Sequence, residues 1–123
     1  MRIFKNTWFA RFADKEGITD GELVEAVNLL EAGQATDLGG GVYKTRIARS
    51  GEGKSGGYRV LVFFRSEERT FFVYGFAKSK RRNINEKELR IFKKWAKILV
   101  SKTDEKIRDD LRKRDLIEVP QEA

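Results

Sequence analysis

The feature that most constrains this fold is the run Tyr58–Arg65, YRVLVFFR, in which both alternating sets of side chains are largely apolar. A strand with one face in water carries polar residues at every second position, whereas a run that is apolar on both sets is typical of a strand covered on both faces. Two further runs with strand-like composition, Val42–Ala48 and Thr70–Ala77, precede and follow it. The three runs predict consecutive antiparallel strands with Tyr58–Arg65 in the interior.

Helices that could cover such a sheet are predicted in the sequence before and after the three strands. Thr19 is followed by Glu22 three residues later, which is the pattern of a capping box at the start of a helix. Asn85 and Glu88 repeat that pattern before the apolar positions of a C-terminal helix. Arg2–Phe4 is predicted to be a short edge strand. The order is therefore a strand, two helices, three strands and a helix.

Aromatic residues at helical spacing are predicted to belong to the core. Trp8 and Phe12 form an apolar stripe in a first helix over Thr7–Lys15, and Trp95 lies in the stripe of the C-terminal helix. Such stripes are more often core than ligand platforms. After a break near residues 101–104, a charged helical stretch reaches Arg114.

The composition excludes several kinds of site and protein. The chain of 123 residues has no cysteine and no histidine, so it has no disulfides, no thiolate metal site and no imidazole base. We therefore expect neither a metal nor a cofactor. The longest apolar run is too short to cross a membrane, and no signal peptide is visible. The expectation is one cytoplasmic domain.

Positive charge is concentrated in the middle of the sequence. The net charge is +7, and residues 41–82 hold eleven Lys and Arg against three Glu. The remainder holds 15 basic and 16 acidic residues, so the whole surplus lies in the middle third. Clustered positive charge predicts binding to a polyanion, usually nucleic acid. The alternative is a solvated surface without a ligand.

The loop before the interior strand contains Gly53-Lys54-Ser55, which ends like a phosphate-binding P-loop. That motif requires a glycine where this chain has Ala48, and a helix directly after the lysine. A strand follows instead, so we reject the P-loop. We interpret this loop as a basic flap whose glycines let the chain turn freely and whose Arg49 and Lys54 reach phosphates; the glycines are Gly51, Gly53, Gly56 and Gly57.

Three stretches in this order resemble the RelE/ParE superfamily of type II toxins, particularly its HigB-like branch. They are GGVYKTRIA (Gly40–Ala48), GEGKSGGYRVLVFF (Gly51–Phe64) and FFVYGFAKSKRRNINEKEL (Phe71–Leu89). The resemblance implies an α+β fold, with a small twisted antiparallel sheet backed by two N-terminal helices and a C-terminal helix. It covers residues 1–100, and residues 101–123 are interpreted as a charged helical extension and tail.

The resemblance also implies a function. Many members of the superfamily are metal-independent endoribonucleases that cut mRNA on the ribosome, inhibit translation and are neutralised by a cognate antitoxin. The residues that match the family's basic positions are Lys44, Arg46, Arg59 and Lys78, which we interpret as catalytic. Lys80 and Arg81 are further equivalents in the resemblance, and together with Arg49 and Lys54 of the flap they are the candidates for RNA binding. Arginine suits the role because its planar fork binds phosphate oxygens in pairs and stays charged.

Several alternatives remain open. Relatives use a tyrosine or histidine near the C-terminus, and Arg82–Leu89 contains neither, which leaves the general acid and base unassigned. This departure favours a non-catalytic RNA-binding module as the second reading, and inhibition of gyrase, as in ParE-type members, is the third. Arg59 could form a structural ion pair, and the basic residues at 80–82 could be a solvated run.

Overall fold

The computed structural model describes residues 1–48, 57–65 and 68–121. The chain forms a six-stranded open sheet with two helices packed against each face, so the predicted α+β architecture is confirmed. The elements in chain order are β1 (Arg2–Asn6), α1 (Thr7–Glu16), α2 (Asp20–Glu31), β2 (Thr36–Gly39), β3 (Val42–Ile47), β4 (Tyr58–Arg65), β5 (Arg69–Ala77), α3 (Glu86–Val100), α4 (Asp104–Lys113) and β6 (Leu116–Glu118).

The sheet has the strand order β2-β3-β4-β5-β1-β6, and all neighbours are antiparallel except β1 and β5. The prediction that β1 is an edge strand is wrong, because β6 returns from the C-terminus and pairs with its free side. Strands β2 and β6 are not predicted from the sequence. Both are short, and short strands carry too little alternation to be recognised.

Strand β4 lies inside the sheet and separates two apolar clusters. Tyr58, Val60 and Val62 belong to the cluster under α1 and α2, whereas Leu61 and Phe63 belong to the cluster under α3 and α4. Residues at alternate positions of a strand point to opposite faces. The apolar character of both sets thus reflects helices on both faces, as the sequence predicts.

The helices begin where the capping patterns place them. Thr19 and Glu22 form the predicted capping box of α2, and Asn85 and Glu88 form that of α3. Helix α1 packs closely on β5, since a Cβ atom added to Gly75 would lie 2.6 Å from the ring of Phe12. A glycine is needed at this position for the helix to approach the strand.

Two tryptophans depart from the predicted core. Trp8 is 45% exposed and Trp95 is 50% exposed, so the prediction that they are buried is wrong. Each lies at the margin of its helix's apolar stripe. Trp8 stacks on Phe12 and lies tilted against Tyr74, and the ring of Trp95 meets that of Phe92 edge-on.

The C-terminal elements pack against the rest of the fold. Ile107 of α4 is fully buried in the same apolar cluster as Phe63, and Val119 donates a backbone hydrogen bond to Ile3. Within the described residues, no helix combines the length and the apolar character that crossing a bilayer requires.

Candidate anion-binding face of the sheet

The α3 side of the sheet carries a cluster of cations where β3 ends and β4 begins. Arg46 of β3 and Arg59 of β4 are direct cross-strand partners in the antiparallel register. The Cα atoms of such partners are about 4.5–5.5 Å apart, with both side chains on one face. Lys44 lies two residues from Arg46 and therefore on the same face. We call Lys44, Arg46 and Arg59 the basic face.

Arg59 is partly buried, and its guanidinium is incompletely satisfied. Its Nη1 atom is buried and has no hydrogen-bond partner among the described residues. Burial lowers the pKa of Arg59, and the charge of Arg46 lowers it further. Arginine keeps its charge in proteins, so Arg59 remains a cation. The lowered pKa means that holding this cation beside Arg46 in a partly buried place costs free energy. The Phe76 backbone pairs with Arg59 on the other side of β4.

Lys44 connects the basic face to the loop that follows β5. Its Nζ atom donates a hydrogen bond to Asn83 Oδ1 at 3.4 Å. Lys78 is exposed directly after β5, and its backbone N–H donates to Gly57 beside the start of β4. The loop after β5 thus lies next to the strands that carry the cations.

A cleft of about 440 Å³ adjoins the basic face at the edge of β3. Lys44, Arg46 and Arg59 line one part of it, and Glu22 and Glu25 of α2 line another. From the sequence, Glu22 is predicted only as a capping residue and Glu25 has no predicted role, because nothing in local spacing shows that α2 approaches the end of β3. The cleft therefore has both basic and acidic walls.

Comparison with protein families identifies the chain. The family model described as the RelE toxin of the RelE/RelB toxin-antitoxin system matches residues 1–119. The chain belongs to this family. It is therefore a toxin of a toxin–antitoxin system, and a cognate antitoxin is its expected partner. No curated protein matches the chain. The family match includes α4 and β6, and the interpretation of residues 101–123 as a separate extension stays a prediction.

In this RelE-family toxin, Arg81 is held by internal partners. Its Nη1 atom donates to Tyr74 Oη and to Glu88 Oε2, each at 3.0 Å, and Nη2 forms an ion pair with Glu88. The guanidinium also lies over the ring of Phe76, 5.6 Å from its centroid. Arg81 therefore links the loop after β5 to α3. Its guanidinium also covers the ring of Phe76, which is the cross-strand neighbour of Arg59.

The remaining predicted site residues are placed as follows. Lys80 is exposed in the turn after β5 and makes no ion pair within the described part of the chain. Arg49 and Lys54 lie outside the described residues. The structure thus brings Lys44, Arg46 and Arg59 together, with Lys78 nearby, whereas Arg81 is engaged with Glu88. The roles of all eight residues stay predictions.

The Arg81–Glu88 pair predicts a specific pH dependence. The hydrogen bond from Arg81 lowers the pKa of Glu88 below its usual range, and the backbone N–H of Asn85 lowers it further. A carboxylate with a depressed pKa in the folded state contributes stability above its unfolded pKa, and that stability is lost as the pH falls through the folded value.

We expect Glu88→Gln to lower the stability of the toxin at pH 7 by about 0.3–1 kcal/mol, since the pair is partly exposed. Glutamine preserves the capping box, so only the charge is removed. Thermal unfolding of both proteins is measured at pH 7 and pH 3. The difference should shrink at pH 3, and an equal difference at both pH values would show that the ion pair does not contribute.

Proposed function

We propose that the toxin is a ribosome-dependent mRNA endonuclease of the HigB-like branch, which acts in the cytoplasm and inhibits translation. The observation that carries the proposal is the pairing of Arg46 and Arg59 across β3 and β4, with a buried Nη1 of Arg59 that no described residue satisfies. Membership of the RelE family supports the same function.

The pairing is unfavourable for the isolated protein. Like charges directly opposite each other destabilise a sheet, and a buried unpaired donor has a desolvation penalty. A bound phosphate would relieve both costs, because its oxygens accept two or more hydrogen bonds from guanidinium forks. The arrangement therefore favours a phosphate of the RNA backbone as the ligand of Arg46 and Arg59.

The proposed reaction uses the 2′-hydroxyl of the RNA as the nucleophile. That oxygen attacks the adjacent phosphorus and loses its proton, the 5′-oxygen leaves and gains a proton, and a cyclic phosphate remains on the upstream fragment. Negative charge develops on the phosphorane-like transition state, where Arg46 and Arg59 stabilise it. Lys44 and Lys78 are the candidates for proton transfer, since Lys44 lies on the basic face and Lys78 follows β5 beside the start of β4.

The proposal predicts that synthesis of the toxin without its antitoxin arrests growth by stopping translation. The measurement is the incorporation of labelled amino acids after induction, followed by mapping of new mRNA 5′ ends. Cleavage should occur in translated messages and should disappear when ribosomes are omitted in vitro. Normal translation in cells that contain the intact toxin would refute the proposal. Binding to RNA without cleavage would instead support the non-catalytic module.

A further inference from the structure

The outer surface of α3 carries an apolar stripe that the toxin's own fold does not cover. Ile91, Trp95 and Ile98 are 42%, 50% and 59% exposed. Together with Trp8 they are the large hydrophobic side chains that stand out as exposed in the described chain. Phe92 and Ala96, each one position after a stripe residue, are buried against the sheet, so the stripe lies beside the buried side of α3 and remains open to solvent.

The spacing of the stripe matches that of a seam between two helices. Ile91, Trp95 and Ile98 are separated by four and then three residues. This alternation is the a/d pattern of a coiled coil, in which each side chain inserts between four residues of a facing helix. The stripe is one heptad long and narrow, which suits a single helical partner.

A row of cations borders the stripe. Its four members are separated from one another by three, four and three residues, so in a helix they lie on one face, directly beside the apolar stripe. None of its members forms an ion pair with a described residue, and like charges at these spacings destabilise a helix. The row consists of Lys87, Arg90, Lys94 and Lys97.

A small cavity opens beside the stripe. It has a volume of about 180 Å³, and Trp95 is part of its lining. Phe63, Val73 and Leu99 supply apolar walls, and the polar part of the lining is Asn6, Asp115 and the ion pair between Lys102 and Asp110. Tryptophans in well-packed pockets near the centre of an interface are often among its strongest contacts.

We propose that this surface docks an amphipathic helix of the cognate antitoxin, with apolar residues on the stripe and carboxylates facing the row of cations. The proposal rests on the proposed function only in that it takes the chain to be a toxin with an antitoxin partner. Charge complementarity and the seam spacing argue for an acidic helix. RNA platforms use planar rings, whereas two of the three exposed residues are isoleucines.

The test measures the affinity of the full-length toxin for the product of the adjacent reading frame by calorimetry. Trp95→Ala should raise Kd by about 30-fold or more, as expected for a central aromatic anchor. Trp8→Ala removes the other exposed tryptophan and is the matched control, with little expected effect. Circular dichroism confirms that both variants fold.

Charge reversal provides a second, independent measurement. The double variant Lys87→Glu/Lys94→Glu should weaken binding about 10-fold or more, whereas Arg11→Glu/Lys15→Glu on α1 should not. Reversal of matching carboxylates in the partner should restore affinity to the first variant. All four reversed residues on the toxin are exposed, so folding is preserved.

Three outcomes would overturn the proposal. The first is an unchanged Kd for both Trp95→Ala and the α3 charge reversal. The second is that the partner does not bind the parent toxin. The third is that these variants bind the partner normally and lose binding only to a 20-nucleotide RNA or to phosphatidylserine vesicles. In cells, the α3 variants should remain toxic but escape neutralisation. If the chain does not cleave mRNA, the proposed function fails while the affinity measurement still decides this proposal.

Discussion

Arg59→Ala is expected to lower the rate of ribosome-dependent mRNA cleavage by about 10²–10³-fold, which is typical when one donor to transition-state charge is removed. Arg59 has the only guanidinium in the described chain with a buried nitrogen that lacks a hydrogen-bond partner. A donor held ready in this way costs no reorganisation when charge develops on the phosphate. Loss of toxicity on induction should accompany loss of cleavage.

Arg59→Lys separates charge from geometry. Lysine keeps the positive charge but cannot present two parallel N–H groups to a phosphate, so we expect partial activity between those of the parent and the alanine variant. Cleavage rates are measured on ribosomes that carry a defined message, with rate and affinity determined separately. A contact that only binds RNA would change affinity and leave the rate at saturation unchanged.

Arg65→Ala is the matched control for Arg59. Arg65 lies on the same strand, three pairs of residues along, and its exposed side chain pairs with Glu68 at 3.3 Å. Its removal should leave cleavage unchanged. Unlike that pair, Arg59 has no described carboxylate partner, so Arg59→Ala should also unfold at or above the parent temperature. A folded Arg59→Ala variant that cleaves at the parent rate would exclude Arg59 from the site.

The central part of the fold could be predicted because its signals are local. The bounds of β4 agree with the run Tyr58–Arg65, since an interior strand must be apolar on both faces. The capping boxes at Thr19 and Asn85 likewise depend on residues three positions apart. In each case the physical requirement is met within one segment of sequence, so no tertiary information is needed.

Features that depend on distant contacts could not be predicted. The ion pair between Arg81 and Glu88 closes a loop whose path the sequence does not give, and the contact of Lys44 with Asn83 spans 39 residues. The exposure of Trp95 was missed for a related reason. Helical spacing shows which residues share a face, but the position of the sheet decides where that face ends.

The pairing of Arg46 with Arg59 could be predicted only in part. Both residues were selected from the resemblance to known toxins and placed on adjacent strands, but the register that makes them direct partners follows from the structure. A shift by one residue would move one arginine to the opposite face of the sheet. The basic face thus depends on the same register that aligns the apolar residues of β3 and β4.

Phe63→Ala is expected to have the largest effect on stability, with a loss of about 3–5 kcal/mol. Phe63 is fully buried in β4, pairs with Val42 and Phe71 on the two neighbouring strands, and meets the ring of Phe92 edge-on at 6.5 Å. Its removal leaves a cavity between the sheet and α3 that rigid neighbours cannot fill. The loss is a large fraction of the 5–15 kcal/mol that is typical of a domain.

Phe64→Ala is the matched control, because it removes the same side chain from the next position of the same strand. Phe64 is only partly buried and meets Tyr43 edge-on at 5.4 Å on the other face, so we expect less than half of the loss. Urea unfolding of the three proteins gives both values. Hydrogen exchange should find the β4 amides among the slowest in the parent. Equal losses for both variants, or rapid exchange in β4, would contradict an interior strand in which Phe63 is buried in the core under α3.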